Sequence, residues 1–377
     1  MGDGCFIGQG LTVDRRRSGE LQVCGRRWRS SRGCVVWSMK PVLERLAGLE
    51  DLSEDDVSSA MGEVLDGDAS PEELAVFLAL LRAKKETATE VAAIANAMKS
   101  RMLPVETRKD VLEIVGTGGD GADTVNISTM AAVLSAACGA TVAKHGNRSI
   151  SSKSGSADVL EAIGIPLDLS PEGVAQCIDK VGIGFMFAPT HHPAMKTVQP
   201  VRRSMKIRSV FNIMGPLLNP AGAQRGIIGV YSPSVMNLMA DTLVELGCKH
   251  ALVVHTEGID ELSTVGVAKA IEIKGESVAE TFIDPLDFGM PRCNLEDLRG
   301  GDAEYNAVVM RELLSGQSSS AIQDVVALNS GAGLYVYGMC NSVAEGVEMA
   351  KSKLLSGSAI EKLDEWIEVA NECPRLA

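Results

Sequence analysis

From about residue 108 onward the chain repeats one unit: a short apolar run, a loop rich in glycine or polar residues, and a longer helix-like stretch. This alternation predicts an α/β fold in which a mostly parallel sheet is flanked by helices. Strands are predicted near residues 111–115, 141–145, 184–188, 226–231 and 250–255, helices near 129–138, 157–163, 171–181 and 233–247, and paired edge strands at 269–275 and 277–284. Ligands of such sheets bind at the carboxyl ends of the strands, here the loops at 116–121, 144–152 and 188–193.

The part before this repeat has a helical pattern. Ser53, and Ser70 followed by Pro71, stand where helices typically start. We therefore predict a small N-terminal helical domain at residues 39–105, with a helical contribution from about 193–215, and a larger α/β domain at 106–377. The helical domain has an apolar outer face that is available for a homodimer contact.

Charge and hydropathy exclude two classes of partner. The net charge of −13 argues against nucleic acid, and no apolar run reaches the roughly 18 residues of a membrane span. An anionic ligand must then be held by a local basic site. The nine cysteines include no Cys-x-x-Cys pair or zinc spacing, so we expect reduced thiols.

The first 38 residues differ from the rest in composition. They contain seven arginines against three acidic residues and lack a long apolar core. Such a composition is typical of an organelle transit peptide. A disordered tail or a misplaced start codon is the alternative interpretation, and the protein would then be cytoplasmic.

The first predicted strand runs directly into a turn rich in glycine: Gly116, Gly118, Gly119 and Gly121. Glycine permits positive φ and close approach of the backbone, so such a turn can form a concavity of N–H groups for phosphate. The pattern G-x-G-x-x-G is present, but a dinucleotide site would place an acid after the next strand. That strand instead leads into Lys144, His145, Asn147 and Arg148, which favours phosphate over NAD.

Two predicted helix starts add to this turn. Ser128 precedes an apolar helix-like run and is expected to cap it, leaving N–H groups for an anion. A second helix begins near Ala157, after a crowd of serines at 151, 152, 154 and 156. A serine-rich surface loop without a ligand is the alternative interpretation. Three phosphate-type loops within about 45 residues instead predict a ligand with several phosphates.

The motifs GTGGD, NIST, KHGNR and SGSADVLE, in this order and spacing, resemble those of the anthranilate phosphoribosyltransferase family of tryptophan biosynthesis. The similarity continues through APTHHPAMK, VRRSMKIRSVFNIMGPLLNP and IDELST, from about Met39 to the C-terminus. It implies the two-domain fold shared with nucleoside phosphorylases, Mg²⁺ as cofactor and a homodimer formed through the helical domain. The N-terminal leader resembles that of plant and algal members, which implies the plastid stroma.

The resemblance also implies an activity. The phosphoribosyl group of 5-phosphoribosyl diphosphate would pass to the amine of anthranilate, giving N-(5-phosphoribosyl)anthranilate and diphosphate. Because an aryl amine is a neutral nucleophile, no general acid or base is assigned, and His145 is not expected to act as one. Placement and charge stabilisation should supply the catalysis.

The site residues come from matching the family motifs. Contacts with 5-phosphoribosyl diphosphate are expected from Gly116, Gly119, Asp120, Thr124, Asn126, Ile127, Ser128, Thr129, Lys144, His145, Gly146, Asn147, Arg148, Ser149, Ile150, Ser151, Ser152 and Ser156. Contacts with anthranilate are expected from Gly116, Asn147 and Arg202. The expected Mg²⁺ contacts are Ser128, Asp260 and Glu261.

Chemistry supports the assignment of Arg202 to anthranilate and of the two carboxylates to Mg²⁺. The planar fork of arginine suits the carboxylate of anthranilate, and adjacent carboxylates just past a strand end suit a hard cation. We expect Asp260 and Glu261 to lie in a polar loop outside the core. The adjacent histidines at 191 and 192 are interpreted as loop and helix-start residues rather than metal ligands. The sequence departs from the common family pattern at Met205-Lys206, where Leu-Gly is frequent, and at Ser209, where Thr is frequent.

Two rival functions stay open. A pyrimidine nucleoside phosphorylase-like enzyme shares the two-domain plan, but it needs no paired metal carboxylates, so Asp260 and Glu261 disfavour it. A non-catalytic sensor of phosphoribosyl ligands is the other alternative, and the intact phosphate, metal and carboxylate motifs disfavour that.

Overall fold

The computed structural model describes residues 39–149, 153–317 and 320–376. The predicted leader at 1–38 and the predicted ligand contacts Ile150, Ser151 and Ser152 lie outside these ranges. Within the described ranges, no helix is long and apolar enough to cross a membrane.

The described elements are fourteen α-helices and seven strands. The helices are α1 (Met39–Ala47), α2 (Glu54–Asp66), α3 (Pro71–Lys84), α4 (Ala88–Lys99), α5 (Ile127–Ala137), α6 (Ser156–Ala162), α7 (Pro171–Val181), α8 (Ala188–His191), α9 (Met195–Met205), α10 (Met236–Glu245), α11 (Ala303–Leu314), α12 (Ala321–Tyr337), α13 (Val343–Leu355) and α14 (Ala359–Glu372). The strands are β1 (Leu112–Gly116), β2 (Val142–Gly146), β3 (Ile183–Phe187), β4 (Arg225–Gly229), β5 (His250–His255), β6 (Ala268–Lys274) and β7 (Ser277–Ile283).

The strands form one sheet in the order β3-β2-β1-β4-β5-β6-β7. Strands β1 to β5 pair in parallel, whereas β6 and β7 add an antiparallel hairpin at one edge. The predicted α/β class, with a mostly parallel sheet and an N-terminal helical part, is confirmed. Because β1 and β2 lie side by side in parallel, the loops that follow them meet at one edge of the sheet.

Helices α2 and α3 start where the sequence predicts. Ser53, Ser70 and Thr87 each cap a helix through a capping box, which satisfies N–H groups that have no intrahelical partner. Val198 and Val201 of α9 lie in the same buried cluster as the apolar residues of α1 to α4, and α9 packs against α3. The described residues pack as one compact unit, so the boundary between residues 105 and 106 stays a prediction.

Each face of the sheet has its own core. The helical bundle and α10 cover one face, where they bury Ile228, Val253 and Ile271. Helices α5 and α12 cover the other face over β1 and β4. Both are buried along nearly their whole length, as expected of helices that are apolar all round. The site therefore lies at the end of a sheet that is anchored on both faces.

Candidate active site

The glycine turn after β1 takes a conformation that favours glycine. Gly118, Gly119 and Gly121 have φ of 68°, 78° and 79°. The N–H of Gly118 donates to Oδ2 of Asp260 over 2.6 Å. The N–H groups of Gly119, Asp120 and Gly121 form no hydrogen bond with any residue that the structure describes. Three adjacent free donors make this turn a receptor for anionic oxygen.

Two glycines let the loop after β5 approach the turn. A Cβ at Gly116 would collide with the carboxylate of Asp260, and a Cβ at Gly229 would collide with the carbonyl oxygen of the same residue. The ends of β1 and β4 therefore leave the space that Asp260 occupies. Gly116, predicted as a contact of both substrates, has this packing role whichever ligand binds.

Asp260 and Glu261 lie in the loop after β5 as predicted, but their carboxylates are largely buried, so the prediction that they lie outside the core is wrong. Asp260 is 8 % exposed. Burial, and next to it the charge of Asp120, raise the pKa of Asp260 to about 7. Burial followed by the charges of Asp260 and Asp120 raises the pKa of Glu261 well above its usual range. The loop is buried because the glycines at 116 and 229 leave room for it beneath the turn.

Helix α5 does not begin as predicted. Its N-cap is Asn126, and Ser128 lies inside the first turn, so the prediction of a Ser128 cap is wrong. Oε1 of Glu261 accepts the hydrogen bond of the Ser128 N–H over 3.1 Å. A carboxylate at this position is favoured by the positive end of the helix dipole, and it replaces a local cap.

Asn126 uses its side chain to join separate parts of the site. Its Nδ2 donates to the carbonyl of Ser154 over 3.1 Å, and its Oδ1 accepts from Nδ2 of Asn306 over 2.9 Å. The next residues with predicted roles, Ile127 and Thr129, have buried side chains. The hydroxyl of Thr129 has no hydrogen-bond partner among the described residues.

Lys144 and His145 lie within β2, in agreement with the predicted strand near 141–145 and not with the predicted loop at 144–152. Lys144 is 2 % exposed, and its Nζ donates to the carbonyl of Ile114 over 2.8 Å and to Oγ of Ser128 over 3.3 Å. Burial lowers the pKa of Lys144 to about 8, against the opposing charges of Glu113 and Glu261. Because the ammonium is enclosed and bonds to Ser128, Lys144 supports Ser128 from the interior of the protein.

The side chain of His145 points to the other side of the strand. Its Nδ1 lies 3.2 Å from the carbonyl oxygen of Gly215, and its ring packs edge-on against His192 with 5.0 Å between the ring centroids. Burial lowers the pKa of His145 to about 3 and that of His192 to about 4. Both imidazoles are neutral at physiological pH.

The loop after β2 packs on the start of α6. Oγ of Ser156 donates to the carbonyl of Asn147 over 3.3 Å, and a Cβ at Gly146 would collide with that hydroxyl. The guanidinium of Arg148 pairs with Asp158 at 2.9 Å and with Glu161 at 2.7 Å. Arg148 is thus engaged by acids on α6, and the N–H of Ser149 donates to the same Asp158 over 3.0 Å.

Arg202 stands in the last turn of α9. Its guanidinium carbon lies 5.6 Å from the centre of the Phe211 ring, and burial lowers its pKa. Among the described residues, no carboxylate pairs with it, and no hydrogen bond, ion pair or ring contact joins it to Gly116 or Asn147. A half-buried cation without an internal counter-ion is suited to a carboxylate ligand.

The C-terminal part, in which the sequence predicts no ligand contact, positions the site. The segment 298–300 holds the loop of Thr124, since the N–H of Val125 donates to the carbonyl of Leu298 over 2.9 Å. Asn329 of α12 donates to the carbonyl of Leu262 over 2.7 Å and accepts from its N–H over 3.2 Å, next to Glu261. The sequence signal for this contact is an asparagine inside an otherwise apolar helix. Such a residue needs a hydrogen-bond partner when it is buried.

The donor set fits Mg²⁺. No group of three or more histidine, cysteine, aspartate or glutamate side chains in the described ranges is arranged to hold a metal ion by itself. Mg²⁺ is usually held by one or two carboxylates together with substrate phosphates and water. Asp260 and Glu261 supply such a pair, and Oε2 of Glu261 is buried without a hydrogen-bond partner. Ser128 contacts Glu261 through its N–H, and its Oγ accepts a hydrogen bond from Nζ of Lys144.

Known proteins share this sequence and fold. The glycosyl transferase family, helical bundle domain, matches residues 40–102, and the glycosyl transferase family, a/b domain, matches residues 108–360. An anthranilate phosphoribosyltransferase from Rubrobacter xylanophilus is 44 % identical over 333 residues, which cover 88 % of this chain and 97 % of the relative. The crystal structure of an anthranilate phosphoribosyltransferase from Thermus thermophilus is 42 % identical, with a TM-score of 0.83 and coverage of 87 % and 99 %. The same enzyme from Saccharomyces cerevisiae, in complex with PRPP and Mg, is 26 % identical, with a TM-score of 0.82 and coverage of 89 % and 98 %.

Proposed function

This chain belongs to the anthranilate phosphoribosyltransferase family, and we propose on that premise that it transfers the phosphoribosyl group of 5-phosphoribosyl diphosphate to the amine of anthranilate. The products are N-(5-phosphoribosyl)anthranilate and diphosphate, and the enzyme is a glycosyltransferase. One observation carries the proposal: the free N–H groups of the glycine turn lie beside the buried Asp260–Glu261 pair. That combination suits a ligand with several phosphates and a divalent cation.

The donor substrate is held by the turn and the loops around it. The N–H groups of Gly119, Asp120 and Gly121 bind phosphate oxygens, and Ser128, Asp260 and Glu261 hold Mg²⁺. Bound there, the cation neutralises charge on the leaving diphosphate. The protein's own contribution is a rigid set of donors and carboxylates, which costs no reorganisation when the bond breaks.

The acceptor is held on the α9 side. Arg202 binds the carboxylate of anthranilate through its planar fork. The amine of anthranilate is neutral and needs no strong base, and the neutral, buried imidazole of His145 is not required for proton transfer. Rate enhancement then comes from placing the amine against the ribose carbon while positive charge develops on the sugar ring.

Product analysis distinguishes this reaction from its nearest rival. Purified protein with anthranilate, 5-phosphoribosyl diphosphate and Mg²⁺ should lose the fluorescence of anthranilate, and omission of any one component should abolish the change. A pyrimidine nucleoside phosphorylase-like enzyme would instead release base from uridine or thymidine in the presence of phosphate. Nucleoside cleavage without anthranilate consumption would contradict the proposal.

We also propose a homodimer formed through the helical part. Val76, Ala79, Leu80 and Ala83 recur at helical spacing on one side of α3 and are exposed or half-buried, with Val76 44 % exposed. Such a stripe fits a second copy of the same helix. Light scattering should give twice the chain mass, and Val76→Glu should shift the protein towards the monomer. A monomer in the unaltered protein at micromolar concentration would contradict this proposal.

Residues 1–38 are proposed as a plastid address. Their arginine-rich, acid-poor composition supports this, as does the match of the helical bundle family from residue 40 onward. Residues 1–38 fused to a fluorescent protein should carry it into isolated chloroplasts, and a chain beginning at Met39 should fold and be fully active. A fusion that stays outside, or an inactive chain from Met39, would contradict the address.

A further inference from the structure

Arg208 reaches the glycine turn although it matches no predicted contact of either substrate. It lies three residues beyond the end of α9. Its Nη2 donates to the carbonyl of Gly119 over 2.7 Å, and its guanidinium carbon lies 3.9 Å from the centre of the Tyr231 ring. We call Arg208, Gly119 and Tyr231 the arginine clamp. An exposed arginine held at one edge by a hydrogen bond and at one face by a ring has lost the freedom that such a side chain normally keeps.

Tyr231 also contacts the glycine turn directly, through its backbone. It follows β4, and its N–H donates to Oγ1 of Thr117 over 3.0 Å. The N–H of Thr117 donates in turn to the carbonyl of Gly229 over 2.9 Å. The Tyr231 ring packs against the core that covers the bundle side of the sheet. The turn is therefore held at Thr117 by the strand end and at Gly119 by the arginine.

The hydrogen bond to the Gly119 carbonyl also determines where one N–H points. The peptide bond between Gly119 and Asp120 is trans, and in a planar trans peptide the C=O and the following N–H point in opposite directions. A carbonyl fixed towards Arg208 thus directs the Asp120 N–H away from it. That N–H is one of the three free donors of the turn. Gly119, with φ of 78°, has no Cβ to lock the peptide by itself, so an external hold is needed.

We propose that Arg208 is a positioning residue for the donor substrate: it locks the Gly119–Asp120 peptide so that the Asp120 N–H faces the diphosphate. This inference rests on the proposed function and deepens it. Arg208 acts through the backbone, and its partner Tyr231 contributes by holding the guanidinium plane. Without this hold, binding of 5-phosphoribosyl diphosphate should weaken by roughly tenfold, which is about 1.4 kcal/mol.

The test compares donor binding in four full-length variants. Calorimetric titration of 5-phosphoribosyl diphosphate with Mg²⁺ should show roughly tenfold weaker binding for Arg208→Met and a similar direction for Tyr231→Leu. Arg208→Lys, which keeps a charged donor, should recover part of the loss. Arg203→Met, at an exposed arginine of α9 close to Arg208 in sequence, is the matched control and should bind as the unaltered protein does. In steady state the KM for the donor should rise while kcat and the KM for anthranilate change little.

Two results would overturn the inference. Donor affinity in Arg208→Met equal to that of the unaltered protein would remove Arg208 from any role at the turn. Weak binding in Arg208→Met together with normal binding in Tyr231→Leu would make Arg208 a direct phosphate ligand and not a positioning residue. If the unaltered protein neither binds the donor nor consumes anthranilate, the proposed function itself fails. Melting temperatures of all variants show whether a loss reflects unfolding, and Arg208→Lys keeps the test valid if Arg208→Met does not fold.

Discussion

Replacing Asp260 by asparagine should make the protein more stable and much less active. Asparagine keeps an oxygen that can accept the Gly118 N–H, which now bonds to Asp260 over 2.6 Å. It also keeps the size of the side chain that occupies the space beside the glycines at 116 and 229. What it removes is the buried negative charge. The folded state should therefore gain stability, while the site loses one of the carboxylates proposed to hold Mg²⁺.

The expected gain follows from the pKa of Asp260. Burial and the nearby Asp120 raise it from 3.8 to about 7. A raised pKa means that the folded state binds more protons than the unfolded chain between these values, so the charged carboxyl destabilises the fold progressively from pH 3.8 to 7 and fully above it. Three pH units correspond to roughly 4 kcal/mol at about 1.36 kcal/mol per unit. At roughly 2 °C per kcal/mol, Tm at pH 8 should rise by about 8 °C at most.

The assay is thermal unfolding at pH 8 and at pH 4 in EDTA, paired with turnover in Mg²⁺. Asp260→Asn should melt higher than the unaltered protein at pH 8 and close to it at pH 4, and its activity should fall by about 10²–10³. Asp241→Asn, on the exposed side of α10, should change neither quantity. A lower Tm for Asp260→Asn at pH 8 would refute the reasoning, because it would show that the carboxylate stabilises the fold more than its burial costs.

Three other predictions follow from single residues. Arg202→Ala should lower kcat/KM for anthranilate by a factor that corresponds to about 2–4 kcal/mol of lost binding free energy. It should not lower Tm or raise the KM for the donor substrate. Unchanged anthranilate kinetics would remove Arg202 from the site. Lys206→Gly should raise the free energy of unfolding in urea by roughly 0.5–1 kcal/mol, because Lys206 has a left-handed φ of 53°; an unchanged midpoint would contradict this. Below pH 6.5 the unfolded chain should take up protons that His145 and His192 refuse when folded, since their pKa values are lowered to about 3 and about 4. The contribution of the two imidazoles should be full above pH 6.5 and fall by up to about 1.4 kcal/mol per pH unit for each of them, opposite in sign to the contribution of Asp260. It is measured as the difference in unfolding free energy between the unaltered protein and the double variant His145→Asn, His192→Asn, and a difference that stays constant between pH 7 and 5 would reject the burial of both rings.

Local signals explain why so much of the fold could be predicted. Helix α7 begins and ends at the predicted residues because Ser170 caps it, Pro171 stands at its first position and Gly182 ends it with φ of 84°. Strand β5 likewise spans the predicted residues, since its six residues are apolar or buried and flanked by turns. Each of these signals lies within a few residues of the element that it defines.

The parts of the site that sequence reasoning missed depend on contacts between distant residues. Ser128 was predicted as a cap, but Glu261, 133 residues away, supplies the carboxylate at that helix end. Asn306 orients Asn126 across 180 residues, and Arg208 reaches Gly119 across 89 residues. No local pattern encodes such pairs, because only the assembled sheet brings them together. The unusual residue at position 206 was visible in sequence, whereas its left-handed backbone was not.

The most direct test of the proposed activity follows the two phosphorus atoms of the donor's diphosphate group. Phosphorus NMR of the protein with 5-phosphoribosyl diphosphate, Mg²⁺ and anthranilate should show the sugar-linked diphosphate signals replaced by free diphosphate, in a one-to-one ratio with the anthranilate consumed. Without anthranilate the donor signals should persist, and with Asp260→Asn the conversion should slow by orders of magnitude. Release of diphosphate at the same rate without anthranilate, or no release with every component present, would contradict transfer to the aryl amine.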